Sequence, residues 1–207
     1  MATRGRPPGF ARDAVLAKAM LVFWDRGYDG TSIADLTGAM GINPPSLYAA
    51  FGSKEALFRE AVDLYERTEN PEAERALTDE PTAFEAIAAM LRSHAIAYVN
   101  PSRPSGCMVV LGATVGVPAN EKVRAHLREL RLRAQDSIQH RIECGIADGD
   151  VPPQVDSALL AMYYTTVLEG LSMQARDGMG EEQLLRIVDC AMASWDSSLG
   201  IASRAGR

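Results

Sequence analysis

Residues 31–58 constrain the fold more than any other part of the chain, because their capping residues predict two short helices joined by a tight turn. Thr31 and Ser32 are both suitable N-caps, and Asp35 follows Ser32 at the spacing of a capping box. Gly41 can adopt the left-handed conformation that ends a helix. We therefore predict a first short helix that begins directly after these caps and ends at Gly41.

The second short helix is predicted to follow this turn directly. Asn43 is a good N-cap, and the two prolines after it lie in a first turn, where a helix needs no backbone N–H donor. Because a residue before proline avoids the helical region, the helix begins at either Pro44 or Pro45. Leu47 should point towards the first helix. The pair predicts a helix-turn-helix, a motif that reads DNA. Its DNA-facing candidates are Asn43, Pro44, Pro45, Ser46 and Tyr48.

Four motifs follow one another between residues 10 and 65: FWDRGYDGTS, TSIADLTGAMGIN, SLYAAF and GSKEALF. In this order they resemble the DNA-binding domain of TetR-family transcriptional regulators. The resemblance implies an all-α fold, with an N-terminal three-helix helix-turn-helix DNA-binding domain and a larger C-terminal helical ligand-binding and dimerisation domain. We place the DNA-binding domain at residues 1–54, with a flexible basic arm over residues 1–9, and the effector-binding and dimerisation domain at residues 55–207.

The resemblance also implies roles for single residues in contact with DNA. Thr31 or Ser32, Tyr48 and Lys54 would contact phosphates, which positions a protein, whereas residues 43–46 would contact base edges, which specifies the site. The second helix departs from the family pattern in its charge, since it contains no Arg or Lys. We therefore expect polar contacts from Asn43 and Ser46, and contacts of the prolines or alanines with thymine methyl groups.

Charge is distributed unevenly along the chain. The formal net charge is −6, yet residues 1–54 hold six basic and four acidic residues, a net charge of +2, against −8 in the rest of the chain. This asymmetry would turn the N-terminal end towards phosphates. Arg4 and Arg6 could supply further cations by reaching into a minor groove, as basic arms do elsewhere. A solvated tail is the alternative for this arm.

Beyond the DNA-binding domain the pattern remains helical. Ser53 caps a fourth helix that runs to about Tyr65, and residues 70–81 are predicted as the connection that follows. Residues 107–111 are ambiguous between helix and strand. Further helices are predicted over residues 82–99, 119–147, 154–177 and 181–199.

The last two predicted helices are apolar over much of their circumference. A helix that is apolar on more than one face needs more than one neighbour. The resemblance implies that one face packs into its own domain while the other meets the same helices of a second copy, forming a homodimer; a fully buried core is the alternative. A two-fold dimer also suits a palindromic double-stranded DNA operator.

Methionine and aromatic side chains in the C-terminal helices indicate a pocket for a medium-sized organic effector. The expected lining residues are Met90, His94, Tyr98, Cys107, Met108, Met162 and Tyr163. Ordinary core positions are the alternative for each. We interpret the chain as a ligand-responsive transcriptional regulator. It would be a repressor released from its operator by a small molecule that binds the DNA-incompetent state more tightly.

A metal- or redox-responsive regulator that uses Cys107 is the main alternative. The soft donors in this chain show no recognised ligand spacing on one helix, so we expect no metal site and no cofactor. An enzyme is disfavoured, because the sequence lacks GxSxG, GxxxxGK[ST], HExxH and GxGxxG motifs, and no catalytic residue is predicted. A helical interaction protein would leave the helix-turn-helix unexplained.

The sequence predicts a cytoplasmic protein with no membrane partner. It contains no uncharged apolar run of about 18 residues, and its first residues lack the apolar core of a signal peptide. Cys107, Cys144 and Cys190 are odd in number and form no CxxC pair, which favours reduced thiols over a disulfide framework.

Overall fold

The computed structural model describes residues 9–69, 71–113 and 120–198, and every regular element in these ranges is a helix. The helices are α1 (Gly9–Arg26), α2 (Ile33–Met40), α3 (Pro44–Phe51), α4 (Lys54–Thr68), α5 (Pro71–Asp79), α6 (Ala83–Ala97), α7 (Met108–Leu111), α8 (Glu121–Asp148), α9 (Ser157–Arg176), α10 (Glu181–Ala193) and α11 (Trp195–Ser198). The predicted all-α fold, with an N-terminal helix-turn-helix and a C-terminal helical domain, is confirmed. None of the described helices is long and apolar enough to cross a membrane.

Helices α1 to α4 enclose an aromatic core. The Phe58 ring lies edge-on to the rings of Phe23 and Tyr28, with centroid distances of 5.0 and 5.2 Å. Leu36 of α2 and Leu47 of α3 are fully buried against this core, as the apolar spacing of the two short helices requires. The inward orientation that we predicted for Leu47 is therefore confirmed.

Helix α8 joins this core to a second one. It has 28 residues, which corresponds to a length of about 42 Å. Val123 and Leu127 near its start are buried in the N-terminal core, whereas Ile138 and Ile142 are buried with α6, α9 and α10 in the C-terminal core. The two halves of this helix thus pack into different cores.

The connection predicted over residues 70–81 instead contains helix α5. Pro71 occupies the first helical position, where its missing N–H costs nothing. Ala73 and Ala76 are buried on the face that packs against α6. The proline marks the start of a helix here rather than an interruption, which corrects the prediction. The ambiguous residues 107–111 likewise contain the short helix α7.

Helix α9 presents two apolar faces, as predicted. Leu160, Tyr164, Leu168 and Leu171 are buried in the C-terminal core. On its other side four large apolar side chains are between 40% and 60% exposed: Leu159, Met162, Tyr163 and Met173. Such an exposed stripe on a helix whose opposite face is buried indicates a surface for another protein.

Candidate nucleic-acid interface

The start of α2 carries a capping box, and an ion pair ties it to the end of α1. The Ser32 hydroxyl accepts a hydrogen bond from the backbone N–H of Asp35, and the Asp35 carboxylate accepts one from the backbone N–H of Ser32 at 2.9 Å. Arg26 forms an ion pair with the same carboxylate at 2.7 Å. The hydrogen bonds from Ser32, and then the charge of Arg26, lower the pKa of Asp35. These contacts fix the angle between α1 and α2.

The turn between α2 and α3 has the predicted geometry. Gly41 adopts φ 72°, in the left-handed region, and its N–H donates to the carbonyl of Thr37 at 3.0 Å. The Asn43 side chain accepts a hydrogen bond from the Ser46 N–H at 2.9 Å, and α3 begins at Pro44 rather than at Pro45. Local caps therefore fix where α3 begins.

Helix α3 buries Leu47 and Phe51 and exposes its remaining side chains. The five candidates for base and phosphate contacts all lie on this exposed side: Asn43, Pro44, Pro45, Ser46 and Tyr48. The exposed side of α3 carries no charge. This arrangement offers hydrogen-bonding groups and apolar atoms to a partner, and no cation.

Two of the predicted phosphate contacts have other partners. Thr31 is only 1% exposed, and its hydroxyl donates to the Gly27 carbonyl at 2.7 Å, so the structure presents Ser32 rather than Thr31 at the surface. The Lys54 ammonium donates to the Tyr28 carbonyl at 2.6 Å and lies 4.2 Å from the centre of the Tyr28 ring. Burial lowers the pKa of Lys54. Lys54 thus holds the start of α4 against the end of α1, a role that sequence reasoning missed.

Arginines near this surface form ion pairs within the unit. Arg12 pairs with Glu60 at 2.7 Å and lies over the Phe51 ring, and Arg59 pairs with Glu55 at 3.2 Å. These guanidinium groups stabilise the packing of the helices and are only partly available to a phosphate. The predicted contacts of Arg4 and Arg6 lie outside the described residues.

A cleft of about 1320 Å³ opens between α4, α5, α6, α8 and α9. Four of the predicted effector residues line it: Met90, His94, Tyr98 and Cys107. The other three do not, and the packing explains why. Met108 is fully buried in the N-terminal core, whereas Met162 and Tyr163 lie on the exposed outer stripe of α9.

The inner wall of the cleft contains a thiol and two phenols. Tyr65 and Tyr98 lie near Cys107, and burial, followed by the influence of Cys107, raises the pKa of each phenol well above its ordinary value. Trp24 of α1 and Thr165 of α9 also line this wall. We did not predict Tyr65, Trp24 or Thr165, because each lies in an apolar run that is equally compatible with an ordinary core.

Burial lowers the pKa of His94 to about 4. The imidazole is therefore neutral near pH 7, and because a carbonyl can only accept, its Nδ1 must donate the 2.9 Å hydrogen bond to the Met90 carbonyl. His140 and Cys144 do lie one helical turn apart, at 3.7 Å, which corrects our statement on ligand spacing. In the described part of the chain, no three His, Cys, Asp or Glu residues are grouped to hold a metal ion.

Comparison with known sequences assigns both parts of the chain. Residues 15–61 match the family described as bacterial regulatory proteins, tetR family, and residues 83–189 match the tetracyclin repressor-like C-terminal domain. Two repressors of Escherichia coli (strain K12) are similar over nearly their whole length. ComR is 32% identical over 93% of this chain and 92% of its own, and BdcR is 32% identical over 92% and 89%.

A solved structure shares both the fold and the sequence pattern. A triple-cysteine variant of the TetR family transcriptional regulator CifR, complexed with 26-bp double-strand operator DNA, is 46% identical with a TM-score of 0.89. The match covers 92% of this chain and 100% of CifR. At this identity the likeness extends beyond the fold to the helix-turn-helix and the C-terminal domain together.

Proposed function

The chain belongs to the TetR family of bacterial regulatory proteins, and from this membership we propose a ligand-responsive repressor that binds operator DNA as a homodimer. The observation that carries the proposal is the exposed side of α3, which local caps hold in a fixed direction before any DNA binds. The family and the named relatives are transcriptional regulators, and we infer no catalytic role. Its site of action would be the cytoplasm, where its operator lies.

Base readout would come from the start of α3. The Asn43 Oδ1 atom caps the helix, which leaves the amide NH₂ group to donate to a base acceptor, and the Ser46 hydroxyl can both donate and accept. Pro44 and Pro45 offer apolar contact to thymine methyl groups. Phosphate contacts are proposed for Ser32, Tyr48, Arg4 and Arg6, and for Lys54 where a phosphate takes the place of the Tyr28 carbonyl.

Dimerisation is proposed through the outer stripe of α9, together with α10. The stripe repeats every three or four residues, which places its members on one side of the helix: Leu159, Met162, Tyr163, Thr166, Gly170 and Met173. This surface is continuous and exposed in one protomer, and two copies related by a two-fold axis would cover it. The two α3 helices would then meet successive major grooves of a palindromic operator.

The cleft has two direct connections to the helix-turn-helix. Helix α4 contributes Tyr65 to the cleft wall at its C-terminal end, and Lys54 at its other end binds the Tyr28 carbonyl. The indole N–H of Trp24 donates to the Gly106 carbonyl at 3.0 Å, beside Cys107. An effector that displaced the wall would therefore shift α1 and α4, and with them the spacing of the two α3 helices.

The proposal is tested by binding to the chain's own upstream intergenic DNA, measured by fluorescence anisotropy at about 50 mM and about 200 mM salt with competitor DNA. We expect selective, salt-dependent binding. Ser46→Ala should weaken it about tenfold, since one good base contact contributes about 1–3 kcal/mol. Ser197→Ala, which removes an exposed hydroxyl on α11, is the matched control and should bind normally. Equal binding to unrelated DNA would refute the regulator.

The dimer surface is tested separately with Gly170→Arg. A Cβ at Gly170 meets no atom within 4 Å inside the protomer, so the substitution fits the isolated fold and improves helix propensity. Across a two-fold interface it places a bulky charge against its own copy. We expect a folded monomer by analytical ultracentrifugation, with operator affinity reduced at least about tenfold through loss of the second half-site. A dimer of unchanged affinity would exclude this surface.

A further inference from the structure

One side of α9 runs from the cleft to the N-terminal unit. Its residues follow one another at helical intervals, which places them in a single row along the helix: Thr165, Glu169, Ser172 and Arg176. Thr165 and Glu169 line the cleft, whereas Ser172 and Arg176 bind backbone groups outside α9. A displacement of α9 at the cleft therefore reaches the segments that the last turns of the helix hold.

The guanidinium group of Arg176 binds the C-terminal end of α1. It donates to the Trp24 carbonyl at 2.7 Å and to the Asp25 carbonyl at 3.1 Å, and it lies 3.7 Å from the Asp25 carboxylate. The last carbonyls of a helix have no partner within that helix and carry its negative partial charge, so a cation is favourably placed there. Because the guanidinium is planar and holds both carbonyls at once, it restricts the orientation of α1 relative to α9.

A second attachment to α9 lies beside the first. The indole N–H of Trp24 donates to the Gly106 carbonyl at 3.0 Å, and the N–H of Cys107 donates to the Ser172 hydroxyl at 2.8 Å. Gly106 adopts φ 76°, and a Cβ at this position would lie 2.6 Å from the Ser172 carbonyl oxygen. The absence of a side chain thus allows the turn before α7 to approach α9 closely. Trp24 is held to α9 both directly and through this turn.

The end of α1 is also the place where α2 and α4 are attached. Arg26 pairs with Asp35 of α2 at 2.7 Å, and the Tyr28 carbonyl accepts a hydrogen bond from Lys54 of α4 at 2.6 Å. Arg176 therefore links α9 to the part of α1 that holds both neighbouring helices.

From this arrangement we propose that Arg176 is a positioning residue for operator binding, which ties the orientation of the helix-turn-helix to α9. The inference rests on the proposed function, because it concerns the distance between the two α3 helices of the homodimer. The outer side of α9 forms the proposed subunit surface, so a dimer holds its two α9 helices at a fixed distance. Arg176 transmits this distance to each helix-turn-helix and sets the half-site spacing that the dimer reads.

The test compares operators that differ in half-site spacing, with purified full-length protein and fluorescence anisotropy. The operator from the upstream DNA is compared with two versions in which one base pair is inserted or removed between the half-sites. Each change shifts and rotates one half-site relative to the other, so a dimer of fixed geometry cannot meet both. We expect wild type to bind the altered operators at least about tenfold more weakly than the native operator.

Arg176→Met removes the donors and keeps an unbranched side chain. We expect about three- to tenfold weaker binding of the native operator, and a preference of no more than about threefold for the native spacing. A residue that only stabilised the fold would lower the affinity for all three operators by the same factor. Arg75→Met is the matched control, because Arg75 is exposed and bonds the Pro71 carbonyl of its own helix. It loses the same charge and should keep the wild-type preference.

Analytical ultracentrifugation and circular dichroism establish that each variant is a folded dimer. If Arg176→Met does not fold, Arg176→Lys keeps the charge without the planar pair of donors and should show an intermediate preference. A wild-type preference in every folded Arg176 variant, or equal binding of all three operators by wild type, would overturn the inference and leave the regulator intact. Wild-type protein that binds no DNA selectively would refute the regulator, and the inference with it.

Discussion

The helix-turn-helix and the cleft of the C-terminal domain differ in how their buried polar groups are satisfied. Thr31 and Thr37 in the helix-turn-helix each have a hydrogen-bond partner within the same unit. In the cleft wall, the Thr165 hydroxyl has none in the described structure. The DNA-reading surface is thus preorganised, whereas the cleft retains bonding capacity for a ligand.

The largest expected loss of stability comes from disrupting the aromatic core that supports the helix-turn-helix. Phe58→Ala removes a fully buried ring that contacts Phe23 and Tyr28. We expect the free energy of unfolding to fall by about 3–5 kcal/mol, measured by urea denaturation at fixed protein concentration. Leu21→Ala is the control, since Leu21 lies on the solvent-facing side of α1 and is 40% exposed, and it should cost about 1 kcal/mol or less. Similar losses in both variants would show that the aromatic core is not what holds the unit together.

A smaller loss of stability is expected from His94 in the cleft as the pH is lowered. The pKa of His94 is about 4 in the folded protein against 6.5 as its ordinary value, so the unfolded chain takes up a proton first. Stability should therefore fall as pH drops from about 6.5 to about 4, by about 3 kcal/mol in total, and be fully present above this window.

His94→Gln tests this expectation because glutamine does not titrate. The unfolding free energy of His94→Gln should therefore fall less between pH 6.5 and pH 4 than that of the wild type. All other titrating groups are the same in both proteins and contribute equally. Urea denaturation of both proteins at pH 7 and pH 4.5 measures the difference. Parallel losses in the two proteins would show that His94 is not held neutral by burial.

The smallest effect is also the sharpest comparison, since Thr37 and Thr165 are both 8% exposed. Thr37→Val loses a hydrogen bond to the Ile33 carbonyl and should destabilise the protein by about 0.5–1 kcal/mol. Thr165→Val removes an unpaired hydroxyl and should leave stability unchanged or raise it by up to about 1 kcal/mol. The thermal unfolding temperature should thus fall for Thr37→Val and not for Thr165→Val, and a fall in both variants would remove the contrast between the two regions.

The sequence predicted the helix-turn-helix well because its determinants are local. Caps at Ser32 and Asn43 and the left-handed Gly41 lie within a few residues of the backbone groups that they satisfy. Helix α5 was missed because Pro71 is compatible with both a helix start and a break. The difference depends on whether the alanines after it have a neighbour to pack against, which is a tertiary property.

The effector residues were harder to predict, because an apolar residue in a helical sequence can face the core, the cleft or the outer surface of the protein. Met108 fills the N-terminal core and Met162 lies on the outer stripe of α9, yet both resemble pocket residues in the sequence. Thr165 gave no signal at all. Its missing hydrogen bond results from the rotamer and packing of α9 against its neighbours, and neither can be inferred from the sequence alone.

Helix α9 carries the cleft wall and the proposed subunit surface on adjacent positions, Thr165 and Thr166. Rotation of α9 as a rigid helix would therefore move the cleft wall and the proposed subunit surface together. By thermodynamic reciprocity, an effector that alters subunit association must itself be bound with an affinity that depends on association. We therefore expect effector titrations to shift with protein concentration, and two occupied clefts to communicate as a cooperative pair rather than as independent sites.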